Sequence, residues 1–148
     1  MDWQTFAAEL ADDLAGLPAG ALLVITERAD GGRFTQFAQD DDGLVAYVSD
    51  NTYLAPADQA SPEARRTIEA AGWNPPEPRQ GHEDWWYRLP WPSSSAAYHR
   101  LTDMIVTALR DGYGIPSPEG WHYRAWNDRK GNEPITLHNL TLTQAPLR

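Results

Sequence analysis

The sequence contains no cysteine, which excludes a disulfide scaffold, thiolate-held zinc, iron-sulfur ligation and a cysteine nucleophile together. Long hydrophobic runs are missing too. The longest, Ala21 to Ile25, falls far short of the roughly 20 residues a membrane span needs. The first twenty residues carry Asp2, Glu9, Asp12 and Asp13, where a signal peptide would be basic and then apolar. The expectation is a soluble, cytoplasmic protein with no membrane partner. Lysine is nearly absent, with Lys130 standing beside 11 arginines. Together with the alanine, glycine and proline content this reads as a G+C-rich coding bias, and it explains the arginines without a function. Basic charge is scarce overall: 12 Lys+Arg against 21 Asp+Glu, net −9. The deficit lies in residues 1 to 64, with 12 acidic and 2 basic side chains, while residues 65 to 148 hold 9 and 10. Nucleic acid is therefore not an expected partner, because phosphate neutralisation by a cationic surface supplies most of that affinity.

What is present suffices for one packed domain over residues 1–148. A chain of 148 residues, 41% hydrophobic and 11% aromatic, can bury on the order of 70% of its unfolded surface. Asp2 is placed to cap a helix in which Trp3, Ala7, Leu10, Leu14 and Leu17 recur at spacings of four and three, and Gly16 and Pro18 stop it. Three strands follow, Ala21 to Arg28, Arg33 to Gln39 and Leu44 to Ser49, separated by Asp30-Gly31-Gly32 and Asp41-Asp42-Gly43 turns. Ser61-Pro62 opens a short helix with Ala64, Ile68 and Ala71 on one face, ended by Gly72. A proline-rich loop leads to an aromatic strand over Asp84 to Leu89. Ser93 to Ser95 cap a third helix whose stripe is Ala97, Leu101, Met104, Ile105, Ala108 and Leu109, closed by Gly112 and Pro116. Trp121 to Trp126 and Ile135 to Thr143 are β-prone and predict a hairpin, limited by Pro134. This order, with helices not alternating with single strands, predicts an α+β fold: an antiparallel sheet with helices packed on it.

Three stretches carry a family resemblance. They are Ala71-Gly72-Trp73-Asn74-Pro75-Pro76, then Trp85-Trp86, then Thr107 to Pro118 with its Gly114-Ile115-Pro116 exit. A Gly-Trp-x-x-Pro loop, a tryptophan strand and a helix leading to Gly-Ile-x-x-Pro resemble the type III secretion chaperone-like and YbjN-like (TY-Chap) family. The element order is similar to the secretion-chaperone arrangement, so the resemblance spans residues 2–118, with residues 119–148 as a C-terminal extension. It implies a small α+β protein, often dimeric, that holds another polypeptide, uses no cofactor and brings no catalytic residues to carry over.

The residues themselves offer little chemistry to set against that. His82, His99, His122 and His138 show no i, i+4 metal spacing, and no metal or cofactor is expected. Asp40-Asp41-Asp42-Gly43 lacks the alternating ligands and terminal glutamate of a calcium loop and reads as a hairpin turn. Ser93, Ser94 and Ser95 have no nucleophile elbow around them and sit where a helix cap belongs. Asp30-Gly31-Gly32-Arg33 lacks the signature of a phosphate loop. The sequon Asn139-Leu140-Thr141 accompanies no export signal.

The aromatic cluster demands more. Trp85, Trp86, Tyr87 and Trp91 fall within seven residues, so in a strand Trp85 and Tyr87 face one side and Trp86 the other. One reading makes them core material. The other makes Trp73, Trp85, Trp86, Tyr87 and Trp91 the contact residues for another polypeptide or a second copy, since tryptophan and tyrosine dominate interface hot spots. An extended segment along a sheet edge or a helix-lined groove is the expected binding mode. Three function classes follow: a non-catalytic chaperone-like binding module, which is favoured; a small hydrolase built from sequence-distant histidine and carboxylate groups; and a purely structural homodimer.

Overall fold

The computed structural model describes residues 1–147. Helix α1 (Trp3–Ala15) begins where the Asp2 carboxylate accepts the Thr5 N–H at 2.7 Å, satisfying one of the orphan donors of a helix start. Its stripe is buried as the spacing predicts, with Phe6 added. The Trp3 indole N–H donates to the Ile115 carbonyl at 2.9 Å and its ring meets Trp121 edge-on. The chain then runs as a meander of β1 (Ala21–Arg28), β2 (Gly31–Gln39) and β3 (Gly43–Val48).

Helix α2 (Pro62–Ala70) is capped by Ser61 with proline at its first position. Gly72 ends it at φ +118°, a conformation that side chains resist. Strand β4 (Trp85–Pro90) precedes α3 (Ser95–Val106), for which Ser94 is the capping serine. Beyond Val106 the helix widens into a π-helical turn over Thr107–Gly112, so that the Tyr113 N–H reaches back five residues to the Ala108 carbonyl. Sequence periodicity carried no sign of that widening. Strands β5 (His122–Asn127), β6 (Glu133–Pro134) and β7 (Thr143–Gln144) complete the sheet.

The sheet order is β4-β3-β2-β1-β5-β6, antiparallel throughout, with β7 parallel to β5. This is the α+β arrangement the element order predicts, with two corrections in the last thirty residues. First, β5 is no appendage: it pairs with β1 from Ala21↔Asn127 to Thr26↔His122 and lies inside the sheet. Second, the expected hairpin forms but its second arm is short: β6 pairs with β5 only at Asn127↔Glu133 and Trp126↔Pro134, and most of Ile135 to Thr143 lies outside the sheet. Pro134 cannot donate to a ladder, and after the Ile135 N–H has donated to the Ala125 carbonyl the chain leaves the sheet so that Asn139, Leu140 and Thr141 can donate to the Asp13 and Glu9 carboxylates of α1.

Alternation sorts the sheet residues cleanly. One face presents Leu23, Ile25, Phe37, Ala46, Val48 and Trp85, which join the buried stripes of all three helices in one core. The other face lies outside that core, and its strand-centre residues are part-exposed.

Candidate functional site

The helix-free face is built from two rows that cross the strands. Register aligns Trp86, Tyr47, Gln36, Val24 and Arg124 in one row, and Arg88, Val45, Ala38, Leu22 and Trp126 in the next. Every one of these except Arg88 is half-buried, and Arg88 is exposed. Apolar and aromatic side chains in the middle of a sheet face covered by no helix are more than a face in water needs, which makes this face the candidate surface.

The sequence-expected contact residues do not lie on one face. Trp73 and Trp85 are each 2% exposed. The Trp73 indole N–H donates to the Met104 carbonyl of α3, and the Arg65 guanidinium lies 5.1 Å from the Trp85 ring centroid while ion-paired to Asp50. Tyr87 is part-buried against the same core, edge-on to Trp73. These three therefore face the helices, and in the folded chain they are turned away from any partner on the open face. Trp86 points to the open face, as strand alternation requires, and Trp91 is 36% exposed beyond the end of β4.

Trp86 is partly roofed. The loop before β4 folds back through paired Glu77 and His82 backbone bonds, and the His82 ring stacks on Trp86 with centroids 4.2 Å apart. His82 Nδ1 lies 3.0 Å from the Tyr47 hydroxyl. Burial raises the pKa of Tyr47, as does the Asp84 carboxylate nearby. Asp84 in turn is held above the usual carboxylate range, first by burial and then by the charges of Asp50 and Glu83. Among the described residues, none of the four histidines hydrogen-bonds or ion-pairs a carboxylate side chain, and no three His, Asp or Glu side chains group as a metal site.

The sheet edges are partly occupied. On β4, Asn74 exchanges both backbone bonds with Trp86. On β5, the Ile135 N–H donates to Ala125 and the Ala145 N–H to Tyr123. A segment docking along these edges would find the groups at Trp86, Ala125 and Tyr123 already satisfied, whereas the helix-free face is covered by no helix. The rim of that face is acidic at the β2–β3 turn. Asp40 pairs with Arg88 at 3.0 Å and Asp41 with Arg129 at 2.8 Å, whereas the Asp42 side chain has no cationic partner among the described residues. The carboxyl of Asp40 is held below its ordinary value, chiefly by the Asp42 N–H and also by Arg88.

Sequence reasoning missed Leu22, Val24, Tyr47, Arg124 and Trp126. A signal was there: Ala21 to Ile25 is apolar on both strand faces, which a strand with one face in water does not need.

Three helices backing one face of a mostly antiparallel sheet, with half-buried apolar and aromatic side chains on the other, define a two-layer α+β protein. The chain belongs to the family described as T3SS (YopN, CesT) and YbjN peptide-binding chaperone 3, whose family model matches residues 1–127. The match takes in β5, beyond the 2–118 span on which the sequence resemblance rested. No curated protein and no solved structure matches the chain.

Proposed function

We propose that this chain is a non-catalytic module that holds another polypeptide, in extended form, across the helix-free face of its sheet. The observation that carries the reading is the pair of half-buried rows from Trp86 to Arg124 and from Arg88 to Trp126, on a chain whose family is described as peptide-binding. The partner suited to the face has alternating apolar and basic residues. Apolar side chains would cover Val24, Leu22 and Tyr47, while lysine or arginine would meet the Asp42 end of an acidic rim on a protein of net charge −9. Charge then steers the encounter and desolvated aromatic contact supplies most of the hold. Trp86 and Trp91 remain candidate contact residues, whereas Trp73, Trp85 and Tyr87 support the face from beneath. Cytoplasmic residence and the option of self-pairing through the same face belong to this proposal.

The test uses a fluorescently labelled hexapeptide, Leu-Lys-Leu-Lys-Leu-Leu, with a Leu-Glu counterpart as control. The lysine peptide is expected to bind and the glutamate peptide to bind at least tenfold more weakly. Val24→Asp and Trp86→Ala should each weaken binding about tenfold or more, with circular dichroism and sedimentation unchanged. Binding that survives both substitutions would remove the open face from consideration, and a concentration-dependent dimer abolished by Val24→Asp would assign the face to a second copy instead.

A further inference from the structure

The open face ends in a cavity of about 470 Å³. Its lining includes Thr26, Ala29, Asp30, Arg124, Trp126 and Leu147. Arg124 is fixed there by two backbone carbonyls: its Nη2 donates to Ala29 at 2.8 Å and its Nε to Pro146 at 3.1 Å. Of the five guanidinium N–H donors, three are left over, and no carboxylate lies within ion-pair distance of Arg124 among the described residues. That is unusual placement for a half-buried arginine in a protein with nearly twice as many acids as bases. A second observation is independent of it. Thr26 is 8% exposed and its hydroxyl has no hydrogen-bond partner, although buried polar groups are ordinarily satisfied. The acid in the lining does not cancel this donor set, because Asp30 is 83% exposed at the hairpin tip and lies 3.5 Å from the Arg28 guanidinium.

We infer that this cavity is the terminal pocket of the docking face and takes the free C-terminal carboxylate of the bound polypeptide. Arg124 and the Thr26 hydroxyl hold the carboxylate, and the last side chain packs on Trp126 and Leu147. Guanidinium and carboxylate match as a planar two-bond pair, and capture of a chain end by a fixed donor cluster is a recurring recognition mode. The cavity closes the row that begins at Trp86. Four strand spacings separate β4 from β5, about 19 Å at ~4.8 Å each, which about six extended residues cover. A bound segment would thus set an apolar residue on Tyr47 and Trp86 some five positions before its end. This inference rests on the open face being the binding surface.

Three hexapeptide probes of the same sequence separate the two ideas: one with a free C-terminal carboxylate, one amidated, and one amidated with glutamate as its last residue. The free acid is expected to bind at least tenfold more tightly than the amide. That ratio should fall to near one in Arg124→Gln and drop several-fold in Thr26→Val, a substitution that keeps shape and removes only the hydroxyl. Equal binding of acid and amide, with both still lost in Val24→Asp, overturns the pocket and leaves the docking face standing. Binding of the glutamate-ended amide as tightly as the free acid overturns the assignment to a chain terminus. If no probe binds, both readings fall.

Discussion

The indole N–H of Trp73 donates to the Met104 carbonyl at 3.0 Å, tying the loop after α2 to the last turn of α3 across 31 residues of sequence. Gly72 makes this approach possible. A Cβ there would sit 3.2 Å from Met104 Cε, and its φ of +118° already disfavours side chains. The Gly-Trp pair is therefore a structural clamp, which is why Trp73 belongs to the core.

Replacing that tryptophan should be costly. Trp73→Ala removes a fully buried ring together with its hydrogen bond to Met104, so a loss of about 3–5 kcal/mol is expected in a urea titration. Trp73→Phe should lose less, since it keeps most of the volume and forfeits the hydrogen bond. Equal midpoints for wild type and Trp73→Ala would show that the ring does not hold α3.

Where α3 widens, it meets α2. A Cβ on Gly112 would lie 2.7 Å from Ile68 Cγ1, closer than real contacts allow. Gly112→Ala is expected to cost about 1–3 kcal/mol through overpacking, and Ile68→Ala alone about 2–5 kcal/mol through a cavity. Because each change relieves the other, the double variant should be more stable than the sum of the two losses implies by at least ~0.5 kcal/mol. Simple additivity in paired denaturation curves would place the two residues out of contact.

Much of this architecture was legible because helix stripes and strand alternation are local properties. Trp3 to Leu17, Ala97 to Leu109 and the meander from Ala21 to Val48 announce their own periods. The last twenty residues were not legible for the opposite reason. Ile135 to Thr143 has strand propensity, yet in its middle Asn139 and Thr141 donate to Asp13 and Glu9, some 126 to 132 positions away, and propensity holds no record of them. The open face was half legible. Alternation in β4 set Trp86 apart from Trp85 and Tyr87, but which face the helices would cover is decided by packing of the whole chain.

Two acids should give opposite pH signatures. Asp84 has its pKa raised above the ordinary 3.8, mainly by burial. A raised carboxyl binds its proton more tightly in the folded state, so its contribution to stability is complete below 3.8 and is lost as pH rises through the raised value. Asp84→Asn keeps an acceptor for the Asp50 N–H, which now donates to Oδ1 at 2.9 Å, and removes the charge. It should match or exceed wild type in urea midpoint at pH 7, with the advantage shrinking toward pH 4. Glu27 is lowered below 4.5, first by its hydrogen bonds to Arg33, so its contribution is present above 4.5 and fades as pH falls through the lowered value. Glu27→Gln should therefore be the less stable variant at pH 7. An Asp84→Asn variant that loses stability at pH 7 would contradict the first assignment.

The C-terminal segment hangs on one carboxylate of α1. Asp13 is 7% exposed, and its oxygens accept the Leu140 N–H at 2.7 Å, the Asn139 N–H at 3.2 Å and the Asn139 side-chain amide at 3.1 Å. Beside it, Glu9 accepts the Thr141 N–H at 3.0 Å. Hydrogen bonds to a charged acceptor are worth roughly 1.5–3 kcal/mol, and Asp13→Ala leaves the donors without it. Asp13→Asn restores only one acceptor oxygen and turns an amide N–H toward donors, so it should resemble alanine more than aspartate. The expected result is local. Amide exchange at Leu140 and Ala145 should quicken at least tenfold while Leu23 and Phe37, deep in the sheet, stay protected. Because Ala145 donates to Tyr123 on the outer edge of β5, loosening it frees strand edge for pairing, and Asp13→Ala should self-associate at concentrations where wild type sediments unchanged. Exchange at Ala145 that is the same in both proteins would mean that strand pairing alone holds the segment, and that the Asp13 carboxylate has no part in keeping the β5 edge closed.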